Sequence, residues 1–154
     1  MTAAPAAGTP MRLYRYLLLL SPTLAWAGGP SGCDDLSSVA PFTQFNYPGT
    51  IQSIWTNNCA SCHIGGSSGG LNLDPPGSDL NLINVQSAQN DTFIRVVPGD
   101  PLGSLLFRKI NCDEPGLGVR MPFGGPNLSL VQQALIFDWI EAGAPTMSNG
   151  FEDR

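Results

Sequence analysis

Apolar residues recur at helical spacing in three stretches of this chain, and glycine and proline break the pattern between them. Ile51, Ile54 and Trp55 fall at i, i+3 and i+4 behind Thr50. That predicts a short amphipathic helix, capped by the threonine and running into "NNCASCH". Asp100 followed by Pro101 reads as a second helix start, an acceptor and then a pre-set φ, with Leu102, Leu105, Leu106 and Ile110 on one face. The third start is the clearest. Ser129 with Gln132 forms a capping box, Leu128, Val131, Leu135 and Trp139 make one stripe, and Gly143 then Pro145 stop the helix. A weaker helical turn falls in "DLNLINVQSA", and "FIRVVPGDP" reads as briefly extended. The segments "HIGGSSGGLNLDPPGS" and "CDEPGLGVRMPFGGP" read as loops long enough to carry function. No internal repeat is visible.

The two ends stand outside this pattern. Arg12 and Arg15 precede the apolar run Tyr16–Leu20, and "AWA" supplies small residues at Ala25 and Ala27. Residues 1–27 therefore read as a secretory signal peptide cleaved after Ala27, and Met11–Ala27 alone carries the full anatomy. A transmembrane anchor fits less well, because Ser21 and Pro22 cut the run short of the roughly 20 apolar residues a span needs. Residues 28–48 lack periodicity and read as an irregular leader; residues 146–154 are a polar tail.

Charge and cysteine use narrow the picture. Cleavage leaves five basic residues against twelve acidic ones, a net charge of −7, with Lys109 the sole lysine. Such a surface excludes a nucleic-acid partner, which needs basic groups to replace phosphate counterions. It favours a redox partner with a basic docking face. Export implies a periplasmic or secreted protein in an oxidising compartment. There Cys33 and Cys112 are candidates for a disulfide, with lipid modification of Cys33 as the rival use.

Cys59, Cys62 and His63, in "CASCH", carry the candidate chemistry. Zinc would need four ligands, yet His63 is the only histidine and adjoins Cys62, so both outlying cysteines would have to join. A thiol-exchange motif normally opens a helix after a strand; here the motif closes a helix. Covalent haem fits the spacing: two thiols two residues apart add to the vinyl groups of one porphyrin edge, and the next residue places an imidazole on the iron. One motif means one haem c. With His63 as proximal ligand, no second histidine exists, and a thioether is the strongest remaining ligand. Met1 and Met11 leave with the signal peptide, so Met121 and Met147 remain. Met121, 58 residues after His63 in the glycine-flanked "GVRMPFGG", is preferred. Its bland alternative is a gap-filling core methionine. Lys109 is a further candidate, placed by the pattern on a helix surface.

The ordered motifs "CASCH", "GGLNLD", "VVPGDPLGSLLFRKI", "RMPFGG" and "LIFDWIEAGA" resemble the class I cytochrome c-like domain, most closely the planctomycete-type domains of exported bacterial proteins. The resemblance covers about residues 49–145. It implies an all-α fold of about three to four helices around one covalent haem, axial ligation by His63 and Met121, and packing of the first helix on the last. Ile54 and Trp55 would then lie near Leu135 and Trp139. The chain departs from many such carriers in lacking a lysine ring.

Electron transfer is thus the expected function. A haem-based module that binds or senses a small ligand, or a haem relay subunit of a larger redox complex, are the alternatives. In the expected site, the Pro75 carbonyl would orient His63, and Arg120 or an indole of Trp55 or Trp139 would meet a propionate. Enzymatic chemistry beyond the haem has no support. The adjacent carboxylates Asp34/Asp35, Asp113/Glu114 and Glu152/Asp153 fall in loops or tail, and no nucleophile–base pair is evident.

Overall fold

The structure, a computed structural model, describes residues 32–114 and 116–146. The expected signal peptide 1–27, the start of the expected leader, Met147 and the tail beyond it lie outside the described residues. Four α-helices appear: α1 Gln52–Asn58, α2 Ala60–His63, α3 Leu105–Asn111 and α4 Leu130–Glu141. Among the described residues there is no strand, only isolated β-bridges. The fold is all-α. No helix among them is long and apolar enough to cross a membrane.

The chain winds into α1 earlier than the pattern predicts. A π-turn over Tyr47–Ile51 leads in, and Asn46, not Thr50, is the cap: its side chain accepts from the Gly49 amide at 2.9 Å. Thr50 instead donates to the Asn46 carbonyl. A second shift occurs at Asp100–Pro101. The Asp100 carboxylate accepts from the Gly103 amide at 2.8 Å, which makes a capped turn, and α3 begins only at Leu105. The reason is tertiary: the amides of Leu105 and Leu106 donate to the carbonyls of Ile94 and Arg95 at 3.0 and 2.9 Å. Leu102, expected on the buried face, is consequently exposed.

In α4 the capping box forms as read from the sequence. The helix ends in a Schellman arrangement, with Ala144 N–H donating to Trp139 O and Gly143 N–H to Ile140 O, at Gly143 φ 93°. Its buried face is rotated from the expected stripe. Gln133, Ile136, Phe137 and Ile140 point inward together with Ala134 and Trp139, whereas Val131 is exposed. The helix is covered from two directions. Phe107 of α3 meets Phe137 edge-on at 5.2 Å, and Tyr47 meets Trp139 at 5.4 Å. The start and end of the fold thus touch through Tyr47, and Ile54, Trp55 and Trp139 belong to one core.

The irregular leader lies against this core as a strap. Cys33 and Cys112 form a disulfide, flanked by hydrogen bonds from Asp34 N–H to Asn111 O and from Asp113 N–H to Gly32 O. Further along, the Phe42 amide donates to Asp138 of α4.

Candidate functional site

Cys59 breaks the helical path, with φ −120° and ψ −5°, so the motif forms its own single turn, α2, at the end of α1. The Cys59 carbonyl accepts from the amides of Cys62 and His63, which fixes the two thiols and the imidazole on one turn. The following loop folds back on this turn. Leu73 N–H donates to His63 O at 2.7 Å, and Asp74 accepts from the Gly65 amide at 2.6 Å. Beneath α1, the buried Ser78 donates to Gln52, which donates in turn to Leu73 O at 3.0 Å, so the loop is pinned from below as well.

This folding brings the Leu71 carbonyl to 3.0 Å from His63 Nδ1. A ring nitrogen engaged by a carbonyl must carry the proton, and that leaves Nε2 as the free donor for a metal. Leu71, not the expected Pro75, is the acceptor. Glycine matters here: Gly69 and Gly70 take φ of 62° and 74°, and a Cβ on Gly70 would lie 2.6 Å from that of Ala88.

Cys59, Cys62, His63 and Met121 line one cavity of about 600 Å³, within the range usual for cofactor sites. Most of its wall area is apolar, with Trp55, Leu71, Leu73, Leu82, Leu106 and Ile110 contributing, and Arg95 and Lys109 are the cations among its polar lining residues. The four proposed site residues are therefore brought together, although Met121 is remote from the motif in sequence. Met147, the rival thioether, lies outside the described residues.

Cys59 and Cys62 are both free thiols. Burial, and secondarily the neighbouring Cys62, pushes the Cys59 thiol up to about 11. An exchange-active cysteine needs the opposite shift, so the burial of Cys59 disfavours it as an exchange nucleophile. Zinc fares no better. Cys33 and Cys112 are bonded to each other and belong to a separate cluster with Glu114.

Three expectations are corrected. Arg120 does not line the cavity: it pairs with Asp34 and donates through Nε to Ile110 O at 3.1 Å. The Trp139 indole donates to Pro145 O at 3.0 Å. Lys109 is not on the helix surface. It is 8% exposed, lines the cavity, and donates to the carbonyls of Leu117 and Val119 at 2.7 Å each. Trp55 is fully buried, and its indole N–H has no hydrogen-bond partner among the described residues.

The pattern also missed Arg95, a cavity-lining cation that donates to Gly70 O and Asn81 O at 2.7 Å. The sole signal for Lys109 was its place between Leu106 and Ile110, an unpaired charge within an apolar helix.

No family model matches this chain, and neither a curated protein nor a solved structure matches it.

Proposed function

We propose that this protein is an exported monohaem c-type cytochrome of the class I type, which passes single electrons through an iron ligated by His63 and Met121. The observation that carries the reading is the convergence of both motif thiols, the only histidine and Met121 on one apolar cavity. The Cys59 and Cys62 S–H groups would each add across a vinyl group, forming one C–S and one C–H bond with no net redox change. When bound, the haem supplies a one-electron iron couple.

Each residue has a defined task around that couple. His63 would present Nε2, its tautomer and ring plane held by the Leu71 carbonyl. Met121 would bring a thioether, which favours the ferrous state relative to a second imidazole. The apolar part of the lining would shield a bound haem from water, which also favours the ferrous state. Arg95 and the Trp55 N–H are the donors at hand for the propionates, in place of Arg120 and Trp139.

The partner is a redox protein with a basic face. Arg95, Arg108, Lys109 and Arg120, the described basic residues besides His63, are engaged within the chain. Asp35, Asp91, Asp100, Asp113 and Glu141 are exposed. Association should therefore weaken with salt.

The test is expression with a cytochrome c assembly system, followed by mass and optical spectra. The expected product carries one covalent haem and, when ferric, the weak long-wavelength band of methionine–iron ligation, which Met121→Ala abolishes. A five-coordinate spectrum with rapid carbon monoxide binding would replace the carrier by a ligand-binding module. A colourless protein with the mass of the bare chain overturns the reading.

A further inference from the structure

Lys109 stands out because a buried ammonium needs a reason. Long cationic side chains are almost never fully buried unless paired, and among the described residues no carboxylate forms an ion pair with this one. Its hydrogen bonds go to two backbone carbonyls in one loop, Leu117 O and Val119 O, at 2.7 Å each. The same loop ends at Met121, whose amide donates back to the Lys109 carbonyl at 2.7 Å. Beside it, Arg120 Nε donates to Ile110 O. The last turn of α3 offers carbonyls without intrahelical donors, and here the loop fills two of them. The loop in turn offers two carbonyls, and one side chain fills both. Gly118 lies between these, with φ 75°, and a Cβ there would sit 3.5 Å from the ammonium.

We propose that Lys109 is the positioning residue for the sixth ligand: its ammonium clamps residues 117–119 onto α3 and so holds Met121 at the cavity. The inference rests on the reading of Met121 as an iron ligand and deepens it. A glycine-rich loop left to itself samples many backbone states, and the entropy of ordering it opposes ligation. Two charge-assisted hydrogen bonds from a side chain on a rigid helix offset that entropy before the iron is met. In this role Lys109 acts through the loop that carries Met121 and not as an iron ligand.

The test uses the covalently loaded protein, with exogenous imidazole competing for the sixth position. Lys109→Leu keeps an apolar stem and removes the donors without adding a second thioether; Lys109→Arg keeps charge and donors. The methionine–iron band should disappear at imidazole concentrations about tenfold or more lower in Lys109→Leu than in the natural protein, and Lys109→Arg should recover part of the difference. Equal titrations of Lys109→Leu and the natural protein overturn the proposal while leaving Met121 as ligand. Absence of the band from the natural protein instead removes Met121 as ligand, and the role of Lys109 with it. Should Lys109→Leu fail to fold, hydrogen exchange on the natural protein decides. The Met121 amide should exchange with the protected amides of α3, and exchange at the rate of an open loop sinks the clamp.

Discussion

Asp34 shows how much one side chain joins. Its carboxylate pairs with Arg120 and accepts from Gln133 Nε2 at 2.7 Å, while its carbonyl accepts from Asn111 Nδ2. Gln133 is fully buried, accepts from Asn111 Nδ2, and donates also to Leu128 O. Strap, α3, Met121 loop and α4 therefore meet at one residue. Arg120's hydrogen bond, followed by that of Gln133 and the Arg120 charge, holds the Asp34 carboxyl below its usual 3.8 against the opposing effect of burial. A lowered pKa gives stability that is complete above the ordinary value and lost as pH falls through the lowered one. Asp34→Asn should destabilise the fold by about 1–3 kcal/mol at pH 7. In denaturant titrations this difference should shrink as pH drops below 3.8. A gap that stays constant from neutral pH to pH 2 would exclude the ion pair as its source.

At the scale of elements, α4 is the segment whose local code and tertiary role agree best. Ser129 Oγ accepts from the Gln132 amide at 3.2 Å, and the Ser129 amide donates to Gln132 Oε1 at 3.0 Å. Ser129→Ala should cost about 1 kcal/mol, read as a shift in denaturation midpoint at unchanged slope. No shift would mean the cap is replaced by water at no cost. Because the box needs only four consecutive residues, it was legible in the sequence. The face of the helix was not. A stripe at i, i+3, i+4 assumes one covering surface, and α4 is covered by both Phe107 and Tyr47. The start of α3 failed for a similar reason. Asp100 and Pro101 have the local chemistry of a helix start, but the carbonyls of Ile94 and Arg95 capture the first free amides four residues later.

For the molecule as a whole, the disulfide ties the leader to the end of α3. Cys33 and Cys112 are 79 residues apart in sequence, and cross-linking so long a loop removes about 4–5 kcal/mol of chain entropy from the unfolded state. The double variant Cys33→Ala/Cys112→Ala should lose about 2–5 kcal/mol of stability and free the strap, seen as rapid proteolysis within residues 32–45. An unchanged unfolding curve would show that the polar contacts of Asp34 hold the strap alone.

The sequence by itself determined whatever depends on near neighbours or on counting. Thiols two residues apart with a histidine next to them, one histidine in all, a capping box and a glycine stop are each read from a few adjacent residues, because covalent reach and backbone geometry set them. Only the tertiary structure decided which carbonyl meets His63, that Arg120 turns to Asp34, and that Lys109 goes inside. Those outcomes depend on which unsatisfied donors and acceptors arrive together when distant segments pack, and buried polar groups must find partners wherever the fold supplies them.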